Sequence, residues 1–467
     1  MQQTLGVIFG NREFFPDVLI SEARRDLENL FKEMNLNSVV LTEKDTKLGS
    51  VETWEDAKKC AALFDAHRHE IEGILVVLPN FGDERGVADA VKLSGLQVPI
   101  LVQAYPDDLK RLDVAHRRDA FCGKISVCNN LRQYGYPFSL TELHTVPLLD
   151  ESFKKDLKKF LGVCRVVNGM RKARFGAIGA RPGAFNTVRY SEKLLQDAGM
   201  SVITIDFSEV IGNAQALADN EPRVQEKIKQ ISAYAETSSV PAQALLLMAK
   251  LAVVIDEWMA ENDIVATALQ CWTSIQKNYG INVCALMSLM SQNLKPSACE
   301  VDITGVAAMY ALQLASGKPS ALVDWNNNYG NDENKCVFFH CGNWAKEFLP
   351  DIQIKSAEIL GTIIGEEKTY GAVAGRTPAG PVTFARITTD DVYGEIRAYV
   401  GEGNFTNDPL ETFGARAVIQ VPNLQALMHY ICQNGFEHHA AMTPSFVADI
   451  IEEAFSTYMQ WDVYRHQ

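Results

Sequence analysis

The sequence predicts an α/β protein: two doubly wound α/β domains followed by a smaller, mostly antiparallel, barrel-like β domain. Three observations carry this. Up to about residue 345, short apolar runs alternate with helix-length periodic stretches, the pattern of parallel β-α units. Within that stretch the series restarts at Arg174 after a long Lys-rich helical segment. Beyond residue 346, Gly, Thr and Val alternate at period two between Gly and Pro, which favours antiparallel strands. The expected domains are 1–170, 171–345 and 346–467. A chain of 467 residues exceeds one ordinary core, so several domains are expected from length alone.

In the first domain, strands are expected at 5–9, 38–41, 73–78 and 99–104, with helical stretches such as 17–34 and 51–70 between them. Ligands in open α/β sheets sit beyond the carboxyl ends of strands, so the loops 11–16, 80–82 and 105–108 are candidate site loops. In the second, a strand at 174–180 leads through a helix (187–198), a strand (201–206) and long helices (214–260). Apolar runs 266–272, 321–324 and 336–340 then alternate with helices 283–294 and 304–314, as one sheet fed by crossovers. The third holds strands in 371–386, 388–400 and 414–421, then helices 423–433 and 445–459.

A content of 47% hydrophobic and 22% charged residues excludes a mainly disordered or fibrous chain. The net charge of −14, from 44 Lys+Arg against 58 Asp+Glu, repels phosphate backbones, so no nucleic-acid partner is expected. The most apolar stretch, 241–258, carries Gln243, Lys250 and Asp256 and reads as a buried helix, with no membrane span. The N-terminus lacks the basic region of a signal peptide, and ten cysteines are scattered without a C-x-x-C pair. The expectation is a cytoplasmic protein without a disulfide framework or zinc ribbon.

Gly176-Ala-Ile-Gly179 follows a strand, yet its glycines are three apart and do not fit G-x-G-x-x-G. A close-packed strand-to-helix turn explains them without a nucleotide. Cys299-Glu300-Val301-Asp302 opens a helix, where acids alone are ordinary dipole partners. Asp324 and His340, however, each end an apolar run, and Glu437-His438-His439 follows a glycine. Charged groups at strand ends are rarely buried without partners. Two carboxylates with imidazoles make a mixed O/N donor set suited to Mn²⁺, Mg²⁺ or Co²⁺. On the residues alone, His340 as a satisfied core histidine and Asp324 as a loop cap stay open, because no compact motif fixes the site.

These residues resemble the L-fucose isomerase and L-arabinose isomerase family of metal-dependent aldose–ketose isomerases. The resemblance runs along essentially the whole chain. It rests on residues 6–16, on 174–187, on Cys299–Asp302, on Val323-Asp324-Trp325, on Phe339-His340-Cys341-Gly342 and on His438-His439. It implies that Glu300 and Asp324 are metal ligands and the proton-transfer pair. It implies His439 as the C-terminal histidine ligand, with His438 the register alternative and a substrate contact, and His340 as a further ligand as in the arabinose branch. Gln270 and Trp272 are implied to contact substrate, and Arg12 to reach in from a neighbouring subunit of a homo-oligomer, trimer or hexamer. The chain is shorter than typical fucose isomerases. Asp324 is similar to the fucose branch and the histidine doublet to the arabinose branch, which marks a divergent subgroup. Such subgroups include sulfoquinovose isomerases, and Arg12, Arg181 and Arg189 are the anion contacts to consider.

The expected chemistry is aldose–ketose isomerisation of an open-chain monosaccharide through a cis-enediol, with Mn²⁺ the first choice of cofactor. A metal-assisted hydride shift is the competing route. A non-catalytic sugar-binding protein and an NAD-linked oxidoreductase are the alternatives from other classes.

Overall fold

The computed structural model describes residues 2–467. The chain divides into two compact units, Met1–Asn168 with Glu453–Gln460, and Gly169–Glu452 with Trp461–Gln467.

The first unit is built on five strands, β1 (Thr4–Phe9), β2 (Asn37–Val40), β3 (Ile71–Leu78), β4 (Ile100–Ala104) and β5 (Ser139–Leu140). They pair in parallel in the order β2-β1-β3-β4-β5. Val7, Phe9 and Val77 pack on one side with the helix Val18–Met34, while Ile8, Val76 and Val102 pack on the other with Trp54–Ala66 and Glu84–Ser94. Both faces are buried, which is why these strands read as continuous apolar runs. Thr53 and Asp56 form a capping box that starts the helix Trp54–Ala66. The expected terminal helix 445–459 is a short α-helix, Ala448–Glu453, followed by a π-helical turn, Ala454–Tyr458. The buried Tyr458 hydroxyl donates to the Ile100 carbonyl at 3.1 Å and meets the Ser139 hydroxyl at 2.7 Å.

The second unit contains two sheets. Strands β6 (Arg174–Ile178), β7 (Ser201–Ile205), β8 (Ala266–Leu269) and β9 (Ser297–Cys299) form a parallel sheet in the order β7-β6-β8-β9. The apolar helix Ala242–Glu261 packs against it, with Lys250 paired to Asp219 and Asp256 to Lys227. Among the described residues no helix is long and apolar enough to cross a membrane.

The remaining strands are β10 (Ala321–Asn328), β11 (Lys335–His340), β12 (Gln353–Ser356), β13 (Tyr370–Arg376), β14 (Gly380–Asp390), β15 (Glu395–Thr406), β16 (Ala415–Gln420), β17 (His439–Thr443) and β18 (Asp462–Arg465). They form one mixed sheet, ordered β12-β13-β16-β11-β10-β17-β14-β15-β18, in which β15 also pairs with β16. This sheet is the largest in the molecule, not the smaller one expected. It takes in β10 and β11, which were expected in the central parallel sheet. The short connection 329–334 explains the difference: a parallel crossover needs a dozen or more residues, so β10 and β11 pair antiparallel.

Candidate active site

Side chains from both sheets of the second unit converge at one place. Glu300 follows β9, Cys271 and Trp272 follow β8, Asp324 lies within β10, His340 ends β11 and His439 begins β17. Asp324 stands opposite His439 across the antiparallel β10–β17 pair, and opposed residues share a sheet face. Glu300 is aimed by its backbone: it and Val301 adopt φ of 56° and 57°, a left-handed pair costing about 1–3 kcal/mol each. The turn is closed by the Asp302 N–H on the Cys299 carbonyl (3.0 Å), and the Asp302 carboxylate caps the following helix, Ile303–Ser316, through the Gly305 N–H.

The cavity enclosed here measures about 310 Å³. Its polar wall is Glu300, Asp324, His340, Glu358, His438 and His439, and its apolar wall includes Phe185, Trp272, Ile359, Leu360 and Phe413. The Trp272 indole N–H donates to Glu300 Oε1 at 2.9 Å and the Cys271 thiol donates to the same oxygen at 3.3 Å. His439 Nε2 lies 3.4 Å from Asp324 Oδ1 and 3.8 Å from Glu300 Oε2. His438 Nε2, on a more exposed ring, lies 3.5 Å from Asp324 Oδ1.

Behind His439 sits a fully buried charge network that sequence reasoning left unassigned. Asp302 Oδ2 is 2.8 Å from His439 Nδ1, and Arg386 donates to both Asp302 oxygens at 2.6 and 2.9 Å. Arg386 Nε also donates to Glu437 at 3.0 Å, and Thr388 donates to the other Glu437 oxygen at 2.8 Å. This second layer fixes the ring so that Nε2 faces Glu300 and Asp324. The usable signal was Arg386 itself, a lone cation inside the apolar stretch Val382–Ile387.

The environment separates the titrating groups. Burial pushes Asp324 up to about 6, against the lowering effect of His439. Burial also raises Glu300 above the usual carboxylate range. Asp302 is buried too, yet Arg386 and His439 outweigh that and hold it far below the usual range. Burial opposes charge on His439, but the Asp302 contact wins and raises it. His340 is pushed down to about 3 by burial and by the neighbouring imidazoles.

The residues fit a cation. Glu300 Oε2 is buried and has no hydrogen-bond partner among the described residues, an arrangement that is costly unless something supplies positive charge. Glu300, His340 and His439, and likewise Asp324, His438 and His439, each place donor atoms within 4.8 Å of one another. Ligand atoms about an octahedral ion at about 2.1 Å stand about 3 to 4.2 Å apart, which brackets the His439 distances above.

The other expected contacts lie differently. Gln270 accepts the Ala180 N–H at 3.2 Å, and a Cβ on Gly179 would stand 2.7 Å from its Oε1. That close approach accounts for Gly179 without a nucleotide. Arg181 and Arg189 donate to the carbonyls of Pro182 and Asn186 in their own loop. Arg12 belongs to the first unit, where it pairs with Glu84, donates to the Gly82 carbonyl at 2.9 Å and lies over the Phe81 ring.

Residues 6–171 match the family model for the fucose/sulfoquinovose isomerase N-terminal domain, and residues 338–467 match that for the L-fucose isomerase C-terminal domain. The chain belongs to the L-fucose isomerase family. It is therefore an intramolecular oxidoreductase of the aldose–ketose isomerase class. It is 25% identical over 383 residues to a sulfoquinovose isomerase of Alkalicoccus urumqiensis, covering 80% of this chain and 81% of that relative. It is 24% identical over 342 residues to a sulfoquinovose isomerase of Clostridium sp. (strain MSTE9), covering 71% and 73%. It is 23% identical over 344 residues to one of Priestia aryabhattai, covering 72% and 74%.

Proposed function

We propose that the protein interconverts an open-chain aldose and its ketose through a cis-enediol, with Glu300 and Asp324 as the proton-transfer pair and with a divalent metal as cofactor. The observation that carries this reading is the convergence of two carboxylates, both held above their usual range, on either side of the oriented His439 Nε2. Glu300, Asp324 and His439, with His340 as a further donor, are the proposed ligands; Mn²⁺ is the first choice, and Mg²⁺ or Co²⁺ satisfies the same donor types. Such an ion supplies positive charge that acidifies the sugar C2 proton and offsets the charge developing on O1 and O2.

The chain's own residues do the rest. One carboxylate removes the C2 proton, and the pair returns a proton to C1 and moves another from O2 to O1. In the metal-free pocket burial makes both carboxylates stronger bases than usual, with Asp324 raised to about 6. Trp272 and Cys271 pin Glu300 Oε1 and leave Oε2 free to face the cavity. The apolar wall keeps water from the reacting carbons. The extra β15–β16 pairing supports a barrel-like reading of the large sheet that carries Asp324 and His439. The ten free cysteines fit a cytoplasmic location.

Two substrates are each favoured by one observation. The relatives favour sulfoquinovose. The part of the cavity lined by one chain favours an uncharged sugar such as L-fucose, because it carries Glu358 and no Lys or Arg, so a sulfonate would depend on Arg12 of another copy. Metal-stripped enzyme reloaded with Mn²⁺ and assayed on L-fucose, L-arabinose, D-arabinose, L-rhamnose, glucose and sulfoquinovose decides between them. Conversion of none would contradict the isomerase reading.

Mn²⁺ affinity is expected to rise with pH. Asp324 binds a proton below about 6 and His439 binds one above its ordinary value, so each must be displaced by the ion. Titration calorimetry between pH 5 and 8 should give about tenfold per pH unit for each proton displaced. A flat profile would contradict ligation by these groups.

We also propose a homo-oligomer, trimer or hexamer, in which Arg12 of one copy serves the cavity of another. An Arg12→Ala chain and a Glu300→Gln chain, each inactive alone, should then regain a measurable fraction of activity when co-assembled. No recovery in mixed oligomers, or a monomer at micromolar concentration in sedimentation, would contradict the shared site.

A further inference from the structure

We propose that the protein carries a second metal site directly behind Glu300, a soft one formed by the thiols of Cys271 and Cys299 with the Glu300 carboxylate. The local fold puts the three together. Parallel pairing sets Leu269 of β8 opposite Cys299 of β9, so Cys271 lies two residues past that point on one strand and Glu300 one residue past it on the other. The two sulfurs and a Glu300 oxygen all lie within 4.8 Å of one another. A tetrahedral ion about 2.3 Å from sulfur sets neighbouring ligands about 3.8 Å apart, so closure needs side-chain shifts of an ångström or less.

More soft or borderline donors stand at the same place. The Met287 thioether is 4.0 Å and His340 Nδ1 is 3.9 Å from Cys299 Sγ. The Asn343 amide donates to Cys299 Sγ at 3.4 Å, and burial raises both thiols, so an ion seated there must displace their protons. Thiolates and thioethers select Zn²⁺, Cd²⁺ or Cu⁺ over Mn²⁺ and Mg²⁺. Binding of a divalent ion releases the two thiol protons to solvent and leaves two thiolates and one carboxylate around it.

This site differs from the one facing the cavity: its two thiols belong to it alone, Glu300 is shared, and His340 stands between the two. Oε1 faces Trp272 and Cys271, whereas Oε2 faces His439. An ion seated among the thiols draws on Oε1 and withdraws Glu300 from turnover; that consequence, unlike the binding, rests on the proposed role of Glu300.

The test is a Cd²⁺ titration of the full chain, with the exposed Cys122 and Cys432 replaced by Ser to remove surface thiols. Thiolate-to-cadmium charge-transfer absorption in the ultraviolet is the readout. A saturable band at one ion per chain is expected, retained in Asp324→Asn and lost in Cys271→Ala and in Cys299→Ala. Cys271→Ser, which keeps the volume, replaces the alanine variant should that one not fold, and ¹¹³Cd NMR of the parent gives an independent reading of two-sulfur coordination. Absence of a saturable band, or a band undiminished in both cysteine variants, would overturn the proposal. A band without loss of turnover would uphold the site and remove Glu300 from the reaction.

Discussion

Glu300→Gln is expected to abolish turnover while leaving the fold intact. The amide keeps the shape of the side chain and can still accept the Trp272 N–H. It cannot act as a base, and a positioned acid–base group contributes about 10²–10⁴ in rate. It also removes one of the proposed negative ligands, so the expected loss in kcat/KM at fixed Mn²⁺ exceeds that range. Stability should hold, because burial raises this carboxyl above its ordinary value, so its charge opposes folding and the neutral amide removes that cost. Steady-state kinetics at saturating metal, with a thermal melt, checks both parts. Near-wild-type turnover would remove Glu300 from the mechanism.

Asp302→Asn is expected to cost both stability and metal affinity, although Asp302 does not line the cavity. It accepts two hydrogen bonds from Arg386 and one from His439 at zero exposure. Neutralising one partner of a buried ion pair costs about 3–5 kcal/mol, here softened because Glu437 still pairs with Arg386. The stability that Asp302 contributes has a definite pH window. Its folded carboxyl is held far below the ordinary value of 3.8, so that stability is present above about 3.8 and is lost as pH falls below it. Separately, losing the charge behind Nδ1 leaves the His439 ring less firmly oriented. Supporting groups of this kind are worth about 10- to 100-fold in metal affinity. The expected signature is a raised Kd for Mn²⁺ with kcat at saturating metal changed much less. Unchanged Kd and unchanged melting temperature would show that the network is ornamental.

The sequence made some of this legible for identifiable reasons. Strands β1, β3 and β4 are buried on both faces, so each is a plain apolar run that local reading finds. Glu300, Asp324, His340 and His439 stood out because polar groups ended or followed apolar runs, and the structure places them around one cavity. Partner choice was not legible. The apolar character of 321–324 marks a strand but not its neighbours, and only the pairing with β17 shows that Asp324 faces His439. Asp302 was visible as a helix-opening acid, whereas its bond to Arg386 joins residues 84 positions apart. The apolar wall at Phe185, Ile359, Leu360 and Phe413 comes from separate parts of the chain with no shared periodicity, so tertiary packing alone assembles it.

The most direct measurement is proton NMR of Mn²⁺-loaded enzyme turning over its sugar in D₂O, with Glu300→Gln alongside. The wild type should form ketose, and recovered aldose should carry deuterium at C2, as an enediol formed by exchangeable carboxylates requires; the variant should do neither. Failure of the metal-loaded wild type to convert any sugar, or conversion by Glu300→Gln at the wild-type rate, would contradict the proposed chemistry.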